Sequence, residues 1–148
     1  MKTMRMAMMF VALAAISAEG YAAMSLHDIR HEARFLTDRM GHELGLTNRQ
    51  YNDVYEINFD FLYQVNEVID DVVYGYDDAI DYYYYLLDVR NEDLMYVLRS
   101  RQYRRFVNRD YFYRPIYMVG HTWGMRIWDR YNDRNYFYFS IPTCYHTY

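Results

Sequence analysis

The chain has 148 residues, 53% of them hydrophobic and 20% aromatic, with twenty Tyr, eight Phe, two Trp and one Cys. That length holds one domain, which excludes an enzyme built from separate cofactor and substrate halves, and that apolar content excludes disorder. A single Cys excludes an intramolecular disulfide framework and any multi-Cys zinc or iron–sulfur site, and a formal charge of −4 argues against a nucleic-acid partner.

Met1 to Ala23 carries Lys2 and Arg5, then the apolar run Met6 to Ile16, then Gly20-Tyr21-Ala22-Ala23. This is the pattern of a secretory signal peptide, with cleavage expected after Ala22 or Ala23. Its apolar core falls well short of the ~20 residues that a spanning helix requires, and no Cys follows it to carry a lipid. The expectation is an exported protein, periplasmic or secreted, with no stable membrane anchor after cleavage.

Beyond the leader the charge is polarised. Residues 24–148 hold 14 Arg against 19 acids, and the only Lys of the chain is Lys2. Residues 24–52 balance, residues 53–93 set twelve acids against Arg90 alone, and residues 94–148 set nine Arg against three acids. Arginine stacks on aromatic rings and grips carboxylates in forks, so an Arg-only chain rich in Tyr has many ways to cross-link itself.

From Leu26 the apolar positions step by three and four through Ile29, Ala33, Leu36, Met40 and Leu44, which predicts a first amphipathic helix ending at Gly45. Leu46-Thr47-Asn48-Arg49-Gln50-Tyr51 then has the logic of a helix start, with Thr47 as N-cap, Gln50 as its capping-box partner, and Leu46 and Tyr51 as a hydrophobic staple. The second helix keeps Tyr51, Val54, Asn58, Phe61, Val65, Ile69 and Val72 near one face and is expected to run to the Tyr74-Gly75-Tyr76 break. Asn58 is the polar member of that stripe, read as a hydrogen-bonded, register-fixing residue or a residue at the stripe's edge. A third helix is expected from Asp77 to about Leu87, where Tyr82-Tyr83-Tyr84-Tyr85 puts rings on every side, so that some must be exposed. A fourth is expected from the cap-like Asn91-Glu92-Asp93 to about Asn108.

Leu46-xxx-Gln50-Tyr51 recurs fifty-two residues later as Leu98-xxx-Gln102-Tyr103. Arg99 stands where Thr47 stood, so the capping box is expected to be lost there. In the last forty residues Arg126 to Tyr131 and Asn135 to Ser140 could pair as a β-hairpin across Asn132-Asp133-Arg134, lying on the helices.

Leu46-Thr47-Asn48-Arg49-Gln50 resembles the LTxxQ motif of the Spy/CpxP-like periplasmic proteins, and Leu98-Arg99-Ser100-Arg101-Gln102 resembles a degenerate second copy where that family repeats its motif. The resemblance covers roughly residues 26–108. It implies an all-helical exported chain that dimerises into a curved cradle and either binds unfolded envelope proteins without ATP or represses an envelope-stress sensor. The fold class expected on all these grounds is mainly α. About four helices over 24–108 form an antiparallel hairpin or cradle, and an aromatic, Arg-rich segment over 109–148 packs on them or extends them.

Candidate chemistry is sparse. His27 and His31 stand four apart beside Asp28 and Glu32, a spacing that suits one metal ion but supplies too few ligands for a closed site, and that equally describes a solvated helix face. His42, His121 and His146 share no useful spacing with them. No nucleophile elbow or Gly-rich phosphate loop is present, and acidic pairs such as Asp70-Asp71 and Asp77-Asp78 read as solvation, so neither enzyme activity nor a cofactor is expected. Cys144 is a lone thiol that could pair between chains in an oxidising compartment. For client or partner binding the candidates are Phe61, Tyr83, Tyr103, Arg105 and Phe106 in a groove between helices two and four, with a homodimer possible. The alternative is an adhesive surface protein whose tail binds a glycan or partner through Trp123 and Trp128. The tail's rings are otherwise expected to pack on the chain's own helices, with its Arg residues neutralising segment 53–93.

Overall fold

The computed structural model describes residues 23–148, so the leader expected over Met1 to Ala23 lies, but for its last residue, outside the described residues. Among those residues the protein is mainly helical, with six helices and a two-stranded antiparallel sheet near the C-terminus. No helix among them is long and apolar enough to cross a membrane.

Helix α1 (Leu26–Leu44) starts where Ser25 Oγ accepts from the Asp28 N–H and ends at Gly45, whose φ of 70° lies in the left-handed region that glycine enters cheaply. Helix α2 (Asn48–Tyr74) carries the complete capping box: the Gln50 N–H donates to Thr47 Oγ1 at 3.2 Å and the Thr47 N–H donates to Gln50 Oε1 at 3.0 Å. It ends at Gly75, again left-handed. Both helices match their sequence-based boundaries because their signals are local.

Helix α3 (Asp77–Val97) corrects the expected break near residue 88. No Gly or Pro interrupts residues 77–97, and Asn91 does not cap a new helix, because its Nδ2 donates to the Tyr113 carbonyl at 3.2 Å. Helix α4 (Ser100–Val107) follows after a two-residue turn. Pairings from Met24 with Asn66 to Asn58 with Thr37 show α1 antiparallel to α2. Phe61 with Tyr83, Asn58 with Arg90 and Gln50 with Val97 show α2 antiparallel to α3. The central helix α2 therefore holds α1 and α3 together, and its stripe of Val54, Phe61, Leu62, Val65 and Ile69 is buried against them.

The chain then returns through a short helix α5 (Asp110–Tyr113), strands β1 (Ile116–Val119) and β2 (Thr122–Met125), and helix α6 (Ile127–Arg130). The hairpin forms earlier than the sequence reading placed it. Its turn is Gly120-His121, with Gly120 at φ 58°, as a tight II′ turn requires. Residues 127–130 make a helical turn instead of a strand, and the backbone of 135–140 finds side chains in place of a strand partner: the Tyr138 and Phe139 N–H groups donate to Asp38 at 3.1 and 2.9 Å. Phe112, Ile116, Trp123, Met125 and Ile127 join the same hydrophobic cluster as the helices.

Candidate interaction surface

The two motif copies meet. Gln50 Nε2 donates to Gln102 Oε1 at 2.8 Å and Gln102 Nε2 donates back to Gln50 Oε1 at 3.1 Å, a closed amide pair. Each Nε2 also donates to the carbonyl that precedes the other helix, Val97 for Gln50 and Gly45 for Gln102, both at 3.1 Å. Each Oε1 also accepts from its own N-cap residue, Thr47 or Arg99. All amide donors and acceptors are thereby used, in a local two-fold arrangement. Half of the second capping box survives the loss of Thr. An Arg side chain has no acceptor to offer, but the Gln102 half needs only the Arg99 backbone N–H, at 2.9 Å. Leu98 is buried and Leu46 half-buried beside the pair.

The expected groove between helices two and four is filled. Phe61, Tyr83 and Phe106 are all buried, and Phe61 and Phe106 stand 5.3 and 5.6 Å from the guanidinium of Arg90. Arg90 is itself 1% exposed; it donates to Asn58 Oδ1 at 2.9 Å, Asn91 Oδ1 at 3.0 Å and the Phe112 carbonyl at 2.9 Å. Burial pulls its pKa down, to about 9, opposed by Tyr83. Only Tyr103, half-buried against Phe106, and Arg105 reach the surface from that set. The stripe that was to receive a client instead surrounds a buried cation, because α3 turns Arg90 inward.

The tail is fastened to α1. Asp38 and Arg39 are buried at 0% and 1% exposure although they lie opposite the apolar stripe. They pair at 2.7 Å, and Arg39 also donates to the carbonyls of Tyr136 at 2.8 Å and Asp133 at 3.0 Å. Tyr131 and Tyr138 lie against its guanidinium, Phe137 covers Arg34 at 3.7 Å, and Tyr138 stacks on His42 at 3.8 Å. The tail's Arg residues correct the expected pairing: Arg109 and Arg130 approach Glu43, and Arg134 approaches Glu32, all on α1. Farther along, the Thr143 N–H donates to Asn52 Oδ1 at 3.0 Å and Arg30 Nε donates to the Tyr148 carbonyl.

Trp123 is buried, and Trp128 donates to Glu32 Oε2 at 2.8 Å under the guanidinium of Arg134. Neither indole is an open platform for a sugar face. His27 is exposed, while His31 sits 3.7 Å from Glu32 and edge-on to Phe137. Among the described residues no group of three or more His, Cys, Asp or Glu gathers as a metal site would. Cys144 is half-buried, with Sγ 3.8 Å from the Asn52 carbonyl, and burial pushes its thiol pKa up.

What remains uncovered is the outer face of α3. Tyr82, Tyr85, Val89 and Tyr96 recur at helical spacing and are 40%, 59%, 37% and 76% exposed. Tyr84, Tyr74 and Tyr76 extend this apolar surface toward the α2–α3 turn. Asp78, Asp81, Asp88, Glu92 and Asp93 border it, all exposed, and none of the acids in 53–93 forms an ion pair among the described residues. Desolvation, and after it the charges of Glu56 and Asp93, raises the pKa of the Asp60 carboxyl. The sequence signal for this surface was the four-Tyr run, which no single buried face can absorb. Family models, curated proteins and solved structures give no match to this chain.

Proposed function

We propose that this protein is an exported, non-enzymatic binding protein of the cell envelope, of the Spy/CpxP-like kind, that captures unfolded or partly folded envelope proteins without ATP. The leader-like Met1 to Ala23 and the paired L-x-x-x-Q helix starts support the compartment and the kinship. The observation that carries the activity is the tyrosine stripe on the outer face of α3, set among carboxylates that form no ion pair among the described residues. Tyrosines give broad apolar contact with little side-chain entropy to lose and accept cations on their ring faces, while the carboxylates favour Lys and Arg. A surface of this kind selects segments in which aliphatic or aromatic residues alternate with basic ones. It binds them by many weak contacts, as a client that must later be released requires.

The test is light scattering from a chemically unfolded, basic client diluted into buffer with an equal molar amount of the protein. Scattering is expected to fall, to fall less at high salt, and to recover when Tyr82, Tyr85 and Tyr96 are all replaced by Ser while the helical circular dichroism is kept. If several unrelated clients, basic and acidic, aggregate at the same rate with and without the protein, the proposal fails.

A further inference from the structure

Between the hairpin and the neighbouring ends of α2 and α3 lies a cleft of about 330 Å³. Leu87 and Ile116 supply apolar surface, Tyr84 and Tyr117 supply rings, and Arg114 and Arg126 supply two positive charges. Among the described residues no carboxylate lines it. Elsewhere the tail's cations Arg109, Arg130 and Arg134 are matched by Glu43 and Glu32. Here two cations border one cavity with no ion pair among the described residues, Arg126 standing between it and a neighbouring hollow that Asp110 and Asp129 line.

Arg126 is held in place by the backbone entering β1: Nη1 donates to the carbonyls of Arg114 and Ile116, each at 2.6 Å, while Nε and Nη2 form no hydrogen bond among the described residues. The Arg114 guanidinium has no hydrogen bond or ion pair among the described residues either. Tyr117 is equally fixed. It pairs across the hairpin with Gly124 and lies so close over it that a Cβ there would meet the phenol oxygen at 2.7 Å. Its ring centre is 5.9 Å from the Arg126 guanidinium. Burial raises the pKa of Tyr83, on the cleft wall, to about 12, opposed first by Arg90 and less by Arg126 and Arg114.

We propose that this cleft binds a small organic carboxylate carried on a flat, apolar body. Guanidinium forks match the two oxygens of a carboxylate in charge and spacing. Aromatic walls and an aliphatic floor match a planar ring system, and the volume falls at the small end of the range of ligand sites. A polyanion is disfavoured, because the α3 face and the rest of residues 53–93 repel it. The site adjoins the α3 surface at Tyr84 but uses none of Tyr82, Tyr85 and Tyr96, so it stands or falls without them.

The probe is 2-naphthoate, titrated calorimetrically into the whole folded protein. Saturable binding at one site is expected, at least about tenfold weaker for the neutral isostere 2-naphthamide and for the Arg114→Gln variant, since each removes a charge-assisted hydrogen bond. Arg101→Gln, an exposed arginine outside the cleft, is expected to bind as the parent does. Gly124→Ala, which displaces the Tyr117 ring, is expected to weaken binding while leaving the circular dichroism unchanged. A peptide C-terminus offers the same chemistry as a free acid. N-acetyl-tryptophan binding as tightly as 2-naphthoate assigns the site to peptide ends, and markedly weaker binding assigns it to free small acids. Absence of saturable binding in the millimolar range, or equal affinity for 2-naphthoate and 2-naphthamide, or an unchanged affinity in Arg114→Gln, overturns the proposal.

Discussion

Arg90 carries its charge in the middle of the protein with no ion-pair partner among the described residues. Its hydrogen bonds end on two amide oxygens, one carbonyl and, at 4.0 Å, the Met40 sulfur, and two phenyl faces lie against it. Removing a charge from water is costly, so each of those neutral partners matters more than its own strength suggests. Asn58 is the hinge of the arrangement: its Oδ1 accepts from Arg90 of α3 while its Nδ2 donates to Thr37 Oγ1 of α1 at 3.0 Å. Asn58→Ala is expected to lower the unfolding free energy by about 3 kcal/mol, because it strips the buried cation of one bond and leaves a cavity. Asn58→Asp, which hands the guanidinium a carboxylate, is expected to cost less. Urea unfolding of the three proteins decides it; an Ala variant within about 1 kcal/mol of the parent would mean that the network contributes little. The sequence marked Asn58 as a polar member of an apolar stripe, which is how a register-fixing residue looks. It did not mark Arg90, because in an acidic segment one arginine reads as a surface counter-ion until α3 is known to run unbroken.

At the level of elements, legibility followed locality. The ends of α1, the Thr47 cap and the whole of α2 are written in residues three or four apart, and these were readable. The continuation of α3 through Asn91 and the position of the hairpin depend on partners far along the chain: the Tyr113 carbonyl for Asn91, and Asp38 for the backbone of 138–139. Those partners cannot be deduced from a window of neighbours. Gly41 is another such case, since a Cβ there would press on the Phe139 ring at 3.0 Å, so that a glycine inside α1 makes room for the tail. The repeated Gln lies between the two regimes. Its spacing was visible, but the closed pair joining the starts of α2 and α4 was not. The geometry predicts strong coupling. Gln50→Ala and Gln102→Ala are each expected to cost about 2 kcal/mol, and the double variant to cost less than their sum by at least about 1 kcal/mol, because the first substitution already leaves the second amide unpaired. Additive losses in a double-mutant cycle would mean that the two amides act only as separate caps.

On the scale of the whole molecule the question is whether residues 109–148 form an appendage or half of the core. The sequence changes character there, from helical periodicity to dense Tyr, Phe, Trp and Arg, and composition alone favours a separate segment. The packing argues otherwise. Phe112, Met125 and Ile127 are fully buried in the cluster that α1, α2 and α3 form, the Phe112 and Tyr113 carbonyls accept from Arg90 and Asn91, and the Tyr136 and Asp133 carbonyls accept from the two terminal nitrogens of Arg39. Removing the segment would expose the core and strand two buried arginines, so the helices have no independent fold to fall back on. Nature supplies a convenient pair of reporters: both tryptophans lie in this segment, at 123 and 128, while most of the helix lies before it. Unfolding followed by tryptophan fluorescence and by far-ultraviolet circular dichroism is therefore expected to give a single transition with the same midpoint and the same slope against urea, as one cooperative unit does. A fluorescence transition that precedes the loss of helix would show the tail detaching from a stable helical body. In that case the strap across α1 would be a removable cover, and the faces beneath it, with Asp38 and Arg39 at their centre, would belong to the binding surface as well.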